Sequence, residues 1–88
     1  MSVKFYRVTE GEFVRLMETK SITKIIAQES TEKAKMLKFH IVGVNPNDKI
    51  AYAVRHGRVD ELRTWRLDNL AKFLKPLTVE SWEVQFNK

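Results

Sequence analysis

The feature that most constrains this chain is a change of period at Thr9. Before it, Val3 to Val8 mixes β-branched and aromatic residues in the manner of a strand. After it, Phe13, Leu16 and Met17 recur at helical spacing. The joint between them is a capping box. Thr9 is followed three residues later by Glu12, so each side chain can satisfy the other residue's open backbone N–H. Val8 and Phe13 flank the box at the spacing of a hydrophobic staple, and Glu10 and Glu12 set negative charge at the positive end of the helix. The pattern predicts a strand over 3–8 and a helix from Glu10 to near Thr19.

The remaining periods extend this beginning. Ile22-Thr23-Lys24-Ile25-Ile26-Ala27-Gln28 is rich in β-branched residues and can be a strand. A helix through Ile22, Ile25 and Ile26 stays open, because a short apolar run does not fix its own period. Leu37, Phe39 and Ile41 alternate with Lys38, His40 and Val42 as a strand buried mainly on one face, and Asn45-Pro46-Asn47-Asp48 ends it with turn-forming residues. Ile50, Tyr52 and Val54 alternate with Ala51, Ala53 and Arg55. His56-Gly57 marks a tight turn and Val59 to Trp65 returns, so 49–66 reads as a β-hairpin. Leu67, Leu70, Ala71 and Leu74 predict a second helix, with Asp68 near its start, Lys72 and Lys75 near its end, and Pro76 to stop it. Trp82, Val84 and Phe86 alternate with Ser81, Glu83 and Gln85 in a closing strand whose apolar face is too bulky to leave in water. The expected order is β-α-β-β-β-β-α-β: one two-layer α+β domain over 1–88, with a mainly antiparallel sheet and two short amphipathic helices.

Composition narrows the function classes. Eighty-eight residues bury only about 60–65% of the unfolded chain's surface, so the core is thin and leans on two Trp, five Phe and two Tyr. The absence of cysteine removes disulfides, thiolate catalysis and thiolate zinc sites, and fits a reducing compartment. The first residues lack the apolar run of a signal peptide, and no stretch approaches the roughly 18 apolar residues of a membrane span. The expectation is a cytoplasmic protein with no membrane partner.

Catalysis needs convergent acids, bases or nucleophiles. The candidates are His40, His56, Asp48, Asp60 and Glu61, with scattered Ser and Thr. His40 lies in the polar register of its strand and His56 precedes a turn glycine, and both read more readily as structural. No carboxylate stands at a recognised metal-ligand spacing from either. No phosphate-binding glycine loop, nucleophile elbow or zinc-protease helix occurs. The expectation is a non-enzymatic chain without cofactor or metal.

Charge points elsewhere. Sixteen Lys and Arg against 11 Asp and Glu give a formal +5, and excess positive charge attracts polyanions. The hairpin holds Lys49, Arg55, Arg58, Arg63 and Arg66, interleaved with Tyr52 and Trp65. Arg63 and Trp65 share a strand face and Arg66 points opposite, so Arg55, Arg58, Arg63 and Arg66 are the candidate contacts to phosphate or an acidic partner, with Lys49 and Lys38 beside them. Trp65 can stack on a base, although packing over Leu70 and Leu74 is the reading its size favours. A second cluster, Lys20, Lys24, Lys33, Lys35 and Lys38 against Glu29 and Glu32, reads first as protection of strand edges. The competing class is a protein-interaction module. An open sheet has two edges and can add a strand from a partner or from a second copy, with the closing strand through Trp82 and Phe86 as one such edge.

Three runs within residues 49–86 carry a resemblance: Arg55-His56-Gly57-Arg58, then Arg63 to Leu74, then Trp82-Glu83-Val84-Gln85-Phe86. Together they resemble the C-terminal half of small partition-associated accessory proteins of plasmids and related mobile elements. In that pattern a hairpin ends in a basic-aromatic pair, a Leu-Asp step opens a short helix, and an aromatic-acidic-Val strand closes the domain. Pro76 and Thr78 depart from it, standing where the pattern tends to place glycine. The resemblance implies a non-enzymatic helper acting near DNA or a DNA-bound partner, and it carries over no catalytic residue.

Overall fold

The capping box forms as the sequence dictates. In the computed structural model, which describes residues 3–31, 37–59, 61–77 and 79–87, the Glu12 N–H donates to Thr9 Oγ1 at 3.2 Å and the Thr9 N–H to Glu12 Oε1 at 2.9 Å. The box joins strand β1 (Lys4–Val8) to helix α1 (Glu10–Glu18). Then follow strands β2 (Lys24–Glu29), β3 (Phe39–Asn45) and β4 (Ile50–Val54), helix α2 (Leu67–Leu74), a 3-10 turn (Lys75–Leu77) and strand β5 (Glu83–Gln85). The open question over 22–28 resolves as a strand. The α+β class stands: two short helices and a five-stranded sheet.

The sheet is mixed, with spatial order β1-β4-β3-β2-β5. β2 and β3, and β3 and β4, pair antiparallel, whereas β1 with β4 and β2 with β5 pair parallel. Parallel pairing enters because α1 and α2 are crossovers rather than hairpin connections, and a crossover returns the chain in its original direction. Each crossover steps over two strands, from β1 to β2 and from β4 to β5, in the same sense along the sheet. Crossovers of one hand stepping the same way put both helices on one face. Phe73 of α2 accordingly meets both Phe13 of α1 (ring centroids 6.3 Å) and Trp65 (5.1 Å).

The described residues of the return arm, Val59 and 61–65, form no strand. β4 is an interior strand with β1 on one side and β3 on the other, so no edge is left for the arm to pair along. It makes only isolated bridges, Arg55 with Leu62 beyond the end of β4 and Trp65 with Phe39 at the start of β3. Val59 is exposed as a result. Other boundaries shift by smaller amounts. β3 begins at Phe39, leaving Leu37 exposed, and α2 buries Leu70 and Leu74 with Phe73 against the core while Leu67 and Ala71 face outward. β5 does join the sheet, yet its apolar side is not dry: Phe86 is 62% exposed although it stands edge-on to Phe39.

Phe13, Ile22, Ile25, Ile41, Val54, Leu70 and Leu74 form the centre of the core. The helix side lies close on the sheet backbone at Gly43. A Cβ there would stand 2.6 and 2.8 Å from Ile22 Cδ1 and Cγ2 and 2.8 Å from Phe13 Cε2. A strand glycine of this kind marks a place where a neighbour lies flush on the backbone. Gly43→Ala is therefore expected to destabilise the fold by about 1–3 kcal/mol in urea or thermal unfolding, as overpacking does. Phe13→Leu in the same background should recover part of the loss. A Gly43→Ala protein as stable as the parent would contradict this packing.

Candidate functional site

Cross-strand partners share a face, so the pairing register sorts every sheet side chain. Tyr6, Val8, Ile25, Ala27, Phe39, Ile41, Tyr52 and Val54 lie on the helical side with Gly43. The opposite face carries two largely apolar rows. One runs Phe5, Ala51, Val44, Lys24 and the other Arg7, Ala53, Val42, Ile26, Glu83. Phe5 is 68% exposed, while Ala51 and Ala53 sit low between larger neighbours at 2% and 6%. Polar groups border the patch. Lys24 pairs with Glu83 at 3.1 Å, and His40 and Gln28 stand opposite each other at one end. An apolar centre inside a polar rim has the anatomy of a protein contact surface.

The predicted basic surface is partly neutralised, and Lys49 stands apart from the arginines. Arg63 forms an ion pair with Glu10, and its guanidinium lies over the Trp65 ring, 3.9 Å from the centroid. Arg66 pairs with Asp68 at 3.2 Å. Arg55 is half-buried; its N–H donates to Val8 O and its Nη1 to His56 O, and its charge acts on Glu12. Arg58 is exposed in the bend beyond β4. Lys49 closes the Asn45–Lys49 turn at the other end of β4 with φ 56°, so it is not a neighbour of the arginines. Lys38 is half-buried where the chain enters β3. Acids chosen for the α1 start thus become partners of the hairpin's arginines.

Trp65 belongs to the core, 7% exposed and stacked on Phe73, rather than to a base-stacking platform. Its Nε1 finds no acceptor among the described residues. His40 Nδ1 lies 3.2 Å from Arg63 O, a cross-strand role, and His56 is an exposed turn residue. Among the described residues no three His, Cys, Asp or Glu side chains gather as a metal site would require. The lysine cluster does not guard an edge at Lys24, because β2 lies inside the sheet, and Lys20 terminates α1 with φ 61°. Glu32, Lys33, Lys35, Asp60 and Thr78 lie outside the described residues. No helix among the described residues is long and apolar enough to cross a membrane.

On the helical side, α1 leaves β1 at Val8 and crosses toward β2, which uncovers the outer strands. A groove of about 560 Å³ results, floored by Tyr6, Tyr52 and Ile50 and walled by Glu12, Arg15 and Leu16. Tyr6 and Tyr52 stack there with centroids 6.0 Å apart. Phe5, Ala51 and Ala53, which define the helix-free patch, did not stand out in the sequence. Only the apolar residues in both registers of Val3–Val8 hinted that β1 presents side chains to two sides.

The Thr9 backbone N–H, then its hydroxyl, hold the Glu12 carboxyl below its usual pKa against desolvation, with Arg55 and then Arg15 adding lesser attraction. A folded-state pKa below the unfolded one contributes stability above the ordinary Glu value of about 4.3 and loses it as pH falls through the lowered value. Glu12→Gln should therefore flatten the acid limb of a Tm–pH profile below about pH 4.3. An acid limb identical to the parent's would contradict the assignment.

Compared with protein-family models, characterised proteins and solved structures, the chain matches none.

Proposed function

We propose that this chain is a non-enzymatic protein-interaction module that receives its partner on the helix-free side of the sheet. The observation carrying this reading is the apolar centre formed by Phe5, Ile26, Val42 and Val44 over Ala51 and Ala53, bordered by Arg7, the Lys24–Glu83 pair and His40. Both helices pack on the other side, so of this area only Ala51 and Ala53 are buried by the chain itself. A surface of that composition gains from being covered, and coverage by protein gives its aliphatic groups apolar partners.

A second reading has contact with nucleic acid, or with a nucleic-acid-bound partner, at Arg55 and Arg58. It is favoured by the formal +5 charge and the exposure of Arg58. The resemblance to partition-associated accessory proteins points the same way. It ranks second because Arg63 and Arg66 already meet Glu10 and Asp68, which weakens their pull on phosphate.

Photo-crosslinking in cells separates the two. With a photoreactive phenylalanine analogue at position 44, adducts to protein are expected; with the analogue at position 58, none. Adducts to nucleic acid from position 58, with position 44 silent, would overturn the first reading in favour of the second.

A further inference from the structure

β1 is an edge strand, and among the described residues no strand lies beyond it. Its pairing with β4 fixes where its backbone points. The Lys4 N–H donates to Lys49 O at 3.1 Å, and Val8 O accepts from the Arg55 N–H at 2.8 Å. Successive residues of a strand direct their N–H and C=O to alternate sides, so Lys4, Tyr6 and Val8 turn toward β4 and Phe5 turns outward. Natural edges are commonly blunted by proline, a bulge, a covering element or charged side chains, and of these β1 carries Lys4 and Arg7. β1 has no proline, and its five residues pair with β4 without a bulge. Its most exposed large hydrophobic side chain is Phe5, at 68%.

We propose that β1 pairs antiparallel with β1 of a second copy, about a two-fold axis at Phe5, so that two sheets run on as one. The proposal goes beyond the reading of the helix-free face, because it uses the edge of the sheet and leaves that face uncovered on both copies. In this register Phe5 faces Phe5 of the second copy, each donating its outward N–H to the other's carbonyl. Lys4 faces the other copy's Tyr6, and Arg7 faces its Val3. The arrangement is self-complementary in charge. No like charges stand opposite each other, and each Lys4 ammonium meets an aromatic ring already backed by Tyr52. Neighbouring registers are poorer. An axis at Lys4 or Arg7 sets identical cations face to face, and an axis at Tyr6 leaves two hydrogen-bonded pairs, Phe5 with Arg7 of the other copy and the reverse, where the axis at Phe5 gives three.

A contact one strand wide lies at the small end of protein interfaces, so the association is weak and concentration-dependent. Each copy carries a formal +5, so moderate salt should strengthen it by screening the repulsion, the opposite of its effect on phosphate contacts.

The absence of native cysteine makes the test clean. Residues opposed in a hydrogen-bonded antiparallel pair have Cα atoms about 5.5 Å apart, inside the range a disulfide spans. Under mild oxidation Phe5→Cys should form a covalent dimer at least about tenfold faster than Gln85→Cys, which sits on the same face at the opposite edge. Sedimentation of the unmodified chain should show a mass that rises with concentration. Phe5→Pro removes the outward N–H and spares the β4 ladder, so it should sediment as a folded monomer. Equal oxidation rates together with a concentration-independent monomer would overturn the proposal, whether or not Phe5→Pro folds. Protein adducts at position 44 from a chain that stays monomeric would sink self-pairing and leave the interaction reading standing. A dimer without such adducts would do the reverse.

Discussion

The Phe13 ring and the Ile22 side chain occupy the space where a side chain of residue 43 would stand. That substitution of core atoms for a missing Cβ seats the start and end of the α1 crossover flush on β3, the middle strand of the sheet. Phe73 then packs on Phe13, which brings α2 down on the same side. With both crossovers committed to one face, a thin core closes around Phe13, Leu70 and Leu74, and no helix among the described residues covers the reverse of the sheet. The uncovered face is a consequence of chain direction and a glycine, not of any residue chosen for it.

Electrostatics follows the same economy. Glu10 and Glu12 suit the positive end of α1, and the first holds Arg63 while the second feels Arg55 and Arg15. Arg63 in turn lies across Trp65 and shields a ring that belongs to the core. Two of the four arginines that look like one patch along the chain, Arg63 and Arg66, are thus drawn into local pairs. The formal charge of +5 remains.

The parts of the fold legible in the sequence are those fixed by neighbours along the chain. Thr9 and Glu12 determine the start of α1 between themselves, and Leu70 and Leu74 mark the buried side of α2 because helical spacing is local. Strand partners are set by distant segments. Nothing within 59–65 reveals that β1 has taken the edge of β4 along which this arm would pair, and the parallel pairings of β1 and β5 arise only when the crossovers are laid over the sheet. The candidate surface was illegible for the same reason. Phe5, Val44 and Ala51 are far apart in sequence and meet only through the register of three strands.

The claim that the sheet ends at β1 with bonding capacity turned outward, for a partner to use, is tested most directly by amide hydrogen exchange resolved by residue and followed with concentration. At high dilution the Phe5 amide should exchange far faster than those of Lys4 and Tyr6, which donate toward β4, and it should gain protection as the protein is concentrated. A Phe5 amide protected like its neighbours at every dilution, or unprotected at every concentration, would contradict the account.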